Sequence, residues 1–120
     1  MSKNVPTEIN LNRRTRVLRV SFAEESFDLS CEYLRVFSPS AEVQGHGPGQ
    51  DVLQTGKENV NIDAIEPMGN YAIKPEFDDG HNTGIFTWDN LYQLGKNQQE
   101  NWQNYLERLK QAGYSRKLDS

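Results

Sequence analysis

One stretch, Asp78-Asp79-Gly80-His81-Asn82-Thr83-Gly84-Ile85-Phe86-Thr87-Trp88-Asp89-Asn90-Leu91, constrains this chain more than any other. It puts a tight turn, a candidate ligand histidine and a helix start in immediate succession. The Asp79-Gly80 pair suits a hairpin turn because glycine enters positive φ without a steric penalty. The Thr87 hydroxyl can accept an orphan N–H of a helix whose first turn holds Asp89 near its positive end. The stretch predicts a turn that leads into a strand over Thr83 to Phe86, and that strand directly into a helix.

Upstream, the apolar residues recur every second position. Ile9 and Leu11 alternate with Glu8 and Asn10, a turn follows at Asn12-Arg13-Arg14-Thr15, and Leu18, Val20 and Phe22 alternate with Arg19 and Ser21. After a polar turn at Ala23 to Ser26, Phe27 and Leu29 continue as a third strand, which predicts an antiparallel meander. Ser30 caps a short helix carrying Tyr33, Leu34 and Phe37, and Pro39 ends it. Gln44 to Gly56, with Gly45, Gly47, Pro48, Gly49 and Gly56, predicts an extended connection. Val60, Ile62 and Ala64 then pair with Tyr71, Ile73 and Phe77 across Pro67-Met68-Gly69-Asn70. Pro75 has no N–H to give to a ladder, so its strand is expected at an edge or bulged.

Two helices close the chain. The first carries Leu91, Tyr92 and Leu94 and is expected to stop at Gly95. The second starts at a variant capping box, Asn97 with Glu100, and shows Trp102, Tyr105, Leu106 and Leu109 at helical spacing. Gly113 provides its stop, and residues beyond it are polar enough to fray. The expected fold is α+β: about six antiparallel strands in a curled sheet or two small sheets, one short helix after the third strand, and two C-terminal helices. One domain over 7–113 is expected, between flexible ends at 1–6 and 114–120.

With 120 residues the chain can bury one modest core. Mean hydropathy is low, at -0.82, yet five phenylalanines, five tyrosines and two tryptophans supply large buried area per side chain. A net charge of -4 disfavours nucleic acid and anionic membranes as partners. Cys31 is the sole cysteine, which excludes an internal disulfide and fits a reducing, cytoplasmic setting. No apolar run spans a bilayer and Met1 to Asn12 lacks the apolar centre of a secretory signal.

From about Thr7 to Gly113 the pattern resembles the gamma-butyrobetaine hydroxylase-like N-terminal domain. The resemblance rests on Ile9-Asn10-Leu11, Arg16-Val17-Leu18, Cys31 to Ser40, Val60-Asn61-Ile62, Asn70-Tyr71-Ala72 and Asp79 to Leu91. It implies a module found as stand-alone bacterial proteins, as the front domain of certain oxygenases, and appended to iron–sulfur carrier ATPases. In the oxygenase branch a Cys-x-Cys-x-x-Cys run after the Leu-Arg pair joins the turn histidine to make a closed zinc site. That spacing falls here on Ser38, Ser40 and Val43, which leaves His81 alone of the four ligands. Hydroxyls and a valine do not replace the charge and softness of thiolates. The branch's oxygenase chemistry sits on a separate barrel, so hydroxylation is not implied.

Each remaining candidate has an ordinary alternative. His81 bonds turn backbone or, with Asp78, Asp79 or His46, forms a weak metal site. Gly45-His46-Gly47-Pro48-Gly49 lacks the lysine and hydroxyl of a phosphate loop and reads as a solvent-exposed loop, whose Gln44, His46 and Gln50 suit a docking partner. Arg13, Arg14, Arg16 and Arg19 form a solvated strand face or a docking surface for an acidic partner. Cys31 reads as a structural thiol, and Trp88 and Trp102 as packing residues. Adjacent Asp78 and Asp79 diverge too far for paired acid–base work. No constellation supports an enzyme and no cofactor is expected.

The expected function is therefore a non-catalytic adaptor that recognises a partner protein, with iron–sulfur protein maturation as the setting the resemblance implies. The alternative is a weak metal- or small-ligand-binding module centred on His81. A monomer or weak homodimer is expected.

Overall fold

The computed structural model describes residues 5–45, 49 and 51–117. Its first three strands, β1 (Glu8–Asn12), β2 (Val17–Ser21) and β3 (Ser26–Ser30), form an antiparallel sheet in that order. Successive side chains of a strand leave on opposite faces, and β2 shows it: Leu18 and Val20 are buried while Arg19 between them is exposed. The register sets Leu18 against Leu11 and Leu29, and Val20 against Ile9 and Phe27. One face of the sheet is therefore a continuous apolar surface.

The second sheet is β4 (Ile62–Met68), β5 (Ala72–Phe77) and β6 (Phe86–Thr87), again antiparallel and in chain order. The α+β expectation of two small sheets holds. The strand expected over Thr83 to Phe86 shortens to two residues paired with Ile73 and Ala72, because the Thr83 side chain is drawn instead to Ser40 and Glu42. The strand that holds Pro75 is the central one, not an edge. Pro75 lies two residues past Ile73, where β6 no longer runs alongside, so its missing N–H leaves no ladder partner wanting on that flank.

Helix α1 (Cys31–Val36) follows β3 without a gap, capped by the Ser30 hydroxyl accepting the Tyr33 N–H at 3.0 Å. All six of its residues are buried, Glu32 and Arg35 included. A single further turn, α2 (Ala41–Gln44), starts at Ser40, whose hydroxyl accepts the Glu42 N–H at 3.2 Å. Helix α3 (Trp88–Lys96) is capped as expected by Thr87, through the Asn90 N–H at 3.1 Å. Its Gly95 is not a stop but an interior residue pressed on the Phe27 ring.

Helix α4 (Gln98–Gln111) turns Tyr105 and Leu109 inward, with Trp102 and Leu106 half-buried beside them. The expected capping box does not form. Asn97 makes no side-chain cap bond, since φ -103 and ψ 16 let it end α3 as well and do not aim its amide at the first N–H groups of α4. Tyr33 ties these layers together: its hydroxyl donates to the Leu94 carbonyl at 2.7 Å, and its ring packs on Phe37 and Trp102.

Gly113 ends α4 at φ 77, as its position predicts. Beyond it the described residues run on to Lys117. Tyr114 to Lys117 lie against Glu32, Glu58 and Trp102 and bring partners to two buried carboxylates.

Candidate functional site

The turn after β5 and the turn that forms α2 meet around His81, which is 7% exposed. The Ser38 hydroxyl lies 2.9 Å from His81 Nε2, and His81 Nδ1 lies 3.3 Å from a carboxylate oxygen of Glu42. Thr83 donates its hydroxyl to the same Glu42 oxygen at 2.5 Å and stands 2.7 Å from the Ser40 hydroxyl. The Ser40 N–H closes the ring on Ser38 Oγ at 3.3 Å. Phe77 packs its ring 5.9 Å from the imidazole.

A single set of protons satisfies every member. Ser38 donates to Nε2 of a neutral imidazole, whose Nδ1–H donates to Glu42. Ser40 donates to Thr83, which donates to Glu42. The neutral form also follows from the surroundings, because burial first, and then the Arg35 guanidinium, hold the His81 pKa below its ordinary 6.5 against the pull of Glu42 and Asp79. The contact with Glu42 is thus a hydrogen bond of a neutral ring rather than an ion pair.

Beneath the ring sits Asp79. Arg35 Nε reaches it at 2.8 Å, Lys57 Nζ at 2.6 Å, and its other oxygen accepts the His81 N–H at 3.1 Å. Burial alone would push this carboxyl up, but Lys57, the His81 amide and Arg35 together pull it down to about 2. Both shifts carry the same sign for stability. Unfolded His81 gains a proton below about pH 6.5 before the folded protein does, and unfolded Asp79 gains one below about 3.8. The urea midpoint is expected to hold steady above pH 7, to fall as pH drops below 6.5, and to fall again between about 4 and 2. The last step should shrink in Asp79→Asn without disappearing, because the Asp28, Glu42 and Glu58 carboxyls are also held below their ordinary range. A midpoint that rises on acidification through pH 6 would mean that the imidazole is charged in the fold.

Serine, histidine and glutamate in this order resemble the nucleophile, base and orienting acid of a hydrolase. The Ser38 hydroxyl, however, is fully buried, and a methyl group built on Gly84 would stand 2.2 Å from it. The room that a substrate carbonyl needs about 3 Å from the nucleophile is filled by protein.

Of the residues singled out from sequence, Ser38, Ser40 and His81 are brought together. Val43 is buried away from the hydrogen-bonded ring, facing Val36 and Phe37. The Gln44 amide is spent on the Ser38 carbonyl at 3.0 Å, while His46 and Gln50 lie outside the described residues. Arg13 joins the two sheets, donating to the Ile62 carbonyl and pairing with Asp63 at 2.9 Å. Arg16 sits half-buried in the β1–β2 turn at φ 59, Arg14 is exposed there, and Arg19 pairs with Asp28. Cys31 is fully buried, and burial pushes its thiol up to about 11, which leaves it inert as a nucleophile at neutral pH. Sequence reasoning missed Glu42, Thr83, Arg35 and Lys57. The first two carried a signal, since Ser40-x-Glu42 and His81-x-Thr83 each place a second polar group two residues from a ring member.

The model of the family described as gamma-butyrobetaine hydroxylase-like, N-terminal, matches residues 9–92. The chain belongs to this family. No curated protein matches it. One NMR solution structure is 53% identical, with a TM-score of 0.81 over 96% of this chain and 86% of the other. A second NMR structure is 48% identical, with a TM-score of 0.84 over 99% and 94%. A crystal structure of a protein of unknown function of the DUF971 family from Acidithiobacillus ferrooxidans is 40% identical, with a TM-score of 0.63 over 75% and 91%. The zinc of the family's oxygenase branch does not fit this member. Its nearest oxygen, on Ser38, lies within hydrogen-bond reach of the imidazole nitrogen whose lone pair a metal would need. Among the described residues no three His, Cys, Asp or Glu side chains converge on a common point.

Proposed function

We propose that this gamma-butyrobetaine hydroxylase-like N-terminal domain is a non-catalytic adaptor that recognises a partner protein, with iron–sulfur cluster maturation as its setting. One observation carries the reading: in the ring of Ser38, His81, Glu42, Thr83 and Ser40 both imidazole nitrogens and all three hydroxyls are engaged within the ring, and only the Glu42 carboxylate reaches solvent. A histidine that held a catalytic metal would keep one ring nitrogen open.

What the ring does is position the chain on either side of it. It anchors α2 to the turn after β5, and the Val52 N–H bonds the Val43 carbonyl at 2.8 Å, which holds the residues on either side of 44–50 together. Val52 stands 53% exposed there. Loops held at their base by a rigid scaffold are the common carriers of recognition. The use of the same module as an appendage of iron–sulfur carrier ATPases supports the proposed setting.

The test is affinity capture with the full chain and with a version in which residues 44–50 are replaced by a two-residue glycine link. A specific partner whose retention drops at least tenfold with the shortened loop is the expected result. Equal retention by both versions, or substrate turnover by the purified chain alone, overturns the proposal.

A further inference from the structure

After Gly113 the chain lies in a groove between α1, α4 and residues 54–59. Glu32, in the first turn of α1 and 5% exposed, takes the Arg116 guanidinium two-pronged, Nε to one oxygen at 2.8 Å and Nη2 to the other at 2.5 Å. The guanidinium carbon stands 5.2 Å from the centre of the Trp102 ring. Glu58, 8% exposed, accepts the Tyr114 hydroxyl at 3.0 Å and the Lys117 N–H, and the Asn59 amide donates to the Lys117 carbonyl at 3.0 Å. Although burial alone would raise it, the bonds from the Lys117 N–H, its own backbone N–H and Tyr114 hold the Glu58 carboxyl below its ordinary range.

Glu32 and Glu58 are the buried carboxylates among the described residues; Glu32 takes its guanidinium partner from this four-residue segment, and Glu58 adds the segment's Tyr114 hydroxyl and Lys117 N–H to its own backbone N–H. Burying a carboxylate is costly unless a partner is brought to it. The partner chemistry is narrow at one point and general at the other. A fork on Glu32 with an aromatic face beside it fits a planar guanidinium and not an ammonium. Glu58 and Asn59 grip the backbone N–H and carbonyl of the next residue, which any amino acid provides. The Tyr114 N–H is fixed to the Leu109 carbonyl of α4 at 2.9 Å, but the contacts to Glu32, Glu58 and Asn59 come from groups that an incoming peptide also carries.

We propose that this groove is an arginine-reading peptide site, filled in cis by the chain's own C-terminal segment and taken in its place by an arginine-bearing extended segment of a partner protein. The tethered segment acts as a competitor at high effective concentration. A free segment competes with it only at millimolar concentration, whereas a partner held nearby by other contacts displaces it at far lower concentration. This goes beyond the adaptor reading, which concerns residues 44–50, and its test addresses the groove alone.

The experiment uses the full chain carrying Arg116→Ala, melted in the presence of an acetylated, amidated peptide of residues 114–117. A matched peptide with lysine in place of the arginine is the control. The arginine peptide is expected to raise the melting temperature saturably, at least tenfold more tightly than the lysine peptide, and to lose that effect when Glu32→Gln is added. In the unsubstituted chain, millimolar arginine peptide is expected to shift the Lys117 amide resonance progressively, a readout that stands even if Arg116→Ala fails to fold. Equal action of the two peptides, an effect that survives Glu32→Gln, or a Lys117 resonance that never moves would each overturn the proposal. A loop-shortened chain that loses its partner but still takes the peptide separates this site from the one at residues 44–50.

Discussion

Replacing His81 with alanine is expected to lower stability by about 3 kcal/mol, seen as a melting temperature roughly 10 °C lower. Two effects add. The imidazole is packed against Phe77 and almost wholly buried, so its removal leaves a cavity. The Ser38 hydroxyl, fully buried, also loses the acceptor it donates to, and a buried polar group left unsatisfied costs about 1–3 kcal/mol. His81→Gln, which can restore one bond but not the ring, should recover less than half of the loss. The comparison also separates the two accounts of His81. If the residue holds the fold through hydrogen bonds, a chelator leaves the melting temperature of the parent chain unchanged, and added zinc moves the His81 ring resonances no more than those of an exposed histidine. If alanine at this position cost less than 1 kcal/mol, the ring would be decoration rather than a structural tie.

Gly95→Ala is expected to destabilise by about 2 kcal/mol, although alanine in an exposed helix interior would gain about 1 kcal/mol over glycine. A methyl group built at Gly95 meets three atoms of the Phe27 ring at 2.3, 2.4 and 2.7 Å, closer than carbon atoms approach, so something must move. The ring has little freedom to do so. It sits edge-on to Phe22 at 6.0 Å and to Tyr92 at 5.7 Å, and Tyr92 is tethered in turn by donating its hydroxyl to Glu25 at 2.6 Å. Overpacking of this kind costs about 1–3 kcal/mol beyond what propensity returns. The decisive measurement is a double-mutant cycle with Phe27→Leu: the smaller side chain should relieve the alanine penalty and give a coupling energy of at least 1 kcal/mol. An additive pair would show that the glycine is there for some other reason than the close approach of α3 to β3.

How much of this was legible beforehand varies with the range of the cause. The Thr87 and Ser30 caps, the turns after β1 and β5 and the stop at Gly113 were read correctly, since each depends on atoms within four residues of one another. The apolar alternation of β2 named Leu18 and Val20 as core because a strand has only two faces. Gly95 and Asn97 were misread. Both occupy places where helix punctuation is expected, and in each case a neighbour from elsewhere in the chain decided otherwise, the Phe27 ring for Gly95 and the end of α3 for Asn97.

The site divides in the same way. That positions 38, 40 and 43 carry two hydroxyls and a valine rather than thiols is a property of residue order. That Ser38 and Ser40 turn toward His81 and Thr83 while Val43 faces the core required contacts between residues 43 positions apart. The docking of Arg116 on Glu32 bridges 84 positions and left no local trace, since a polar tail after a helix stop usually frays. Residue order determined the first meander, the Ser30 and Thr87 caps and the turns after β1 and β5, because short-range sterics and hydrogen bonds suffice for them. Which buried charges find partners, and which glycine makes room for a ring, only the tertiary structure decided, because desolvation and packing are settled among side chains that the chain itself holds far apart.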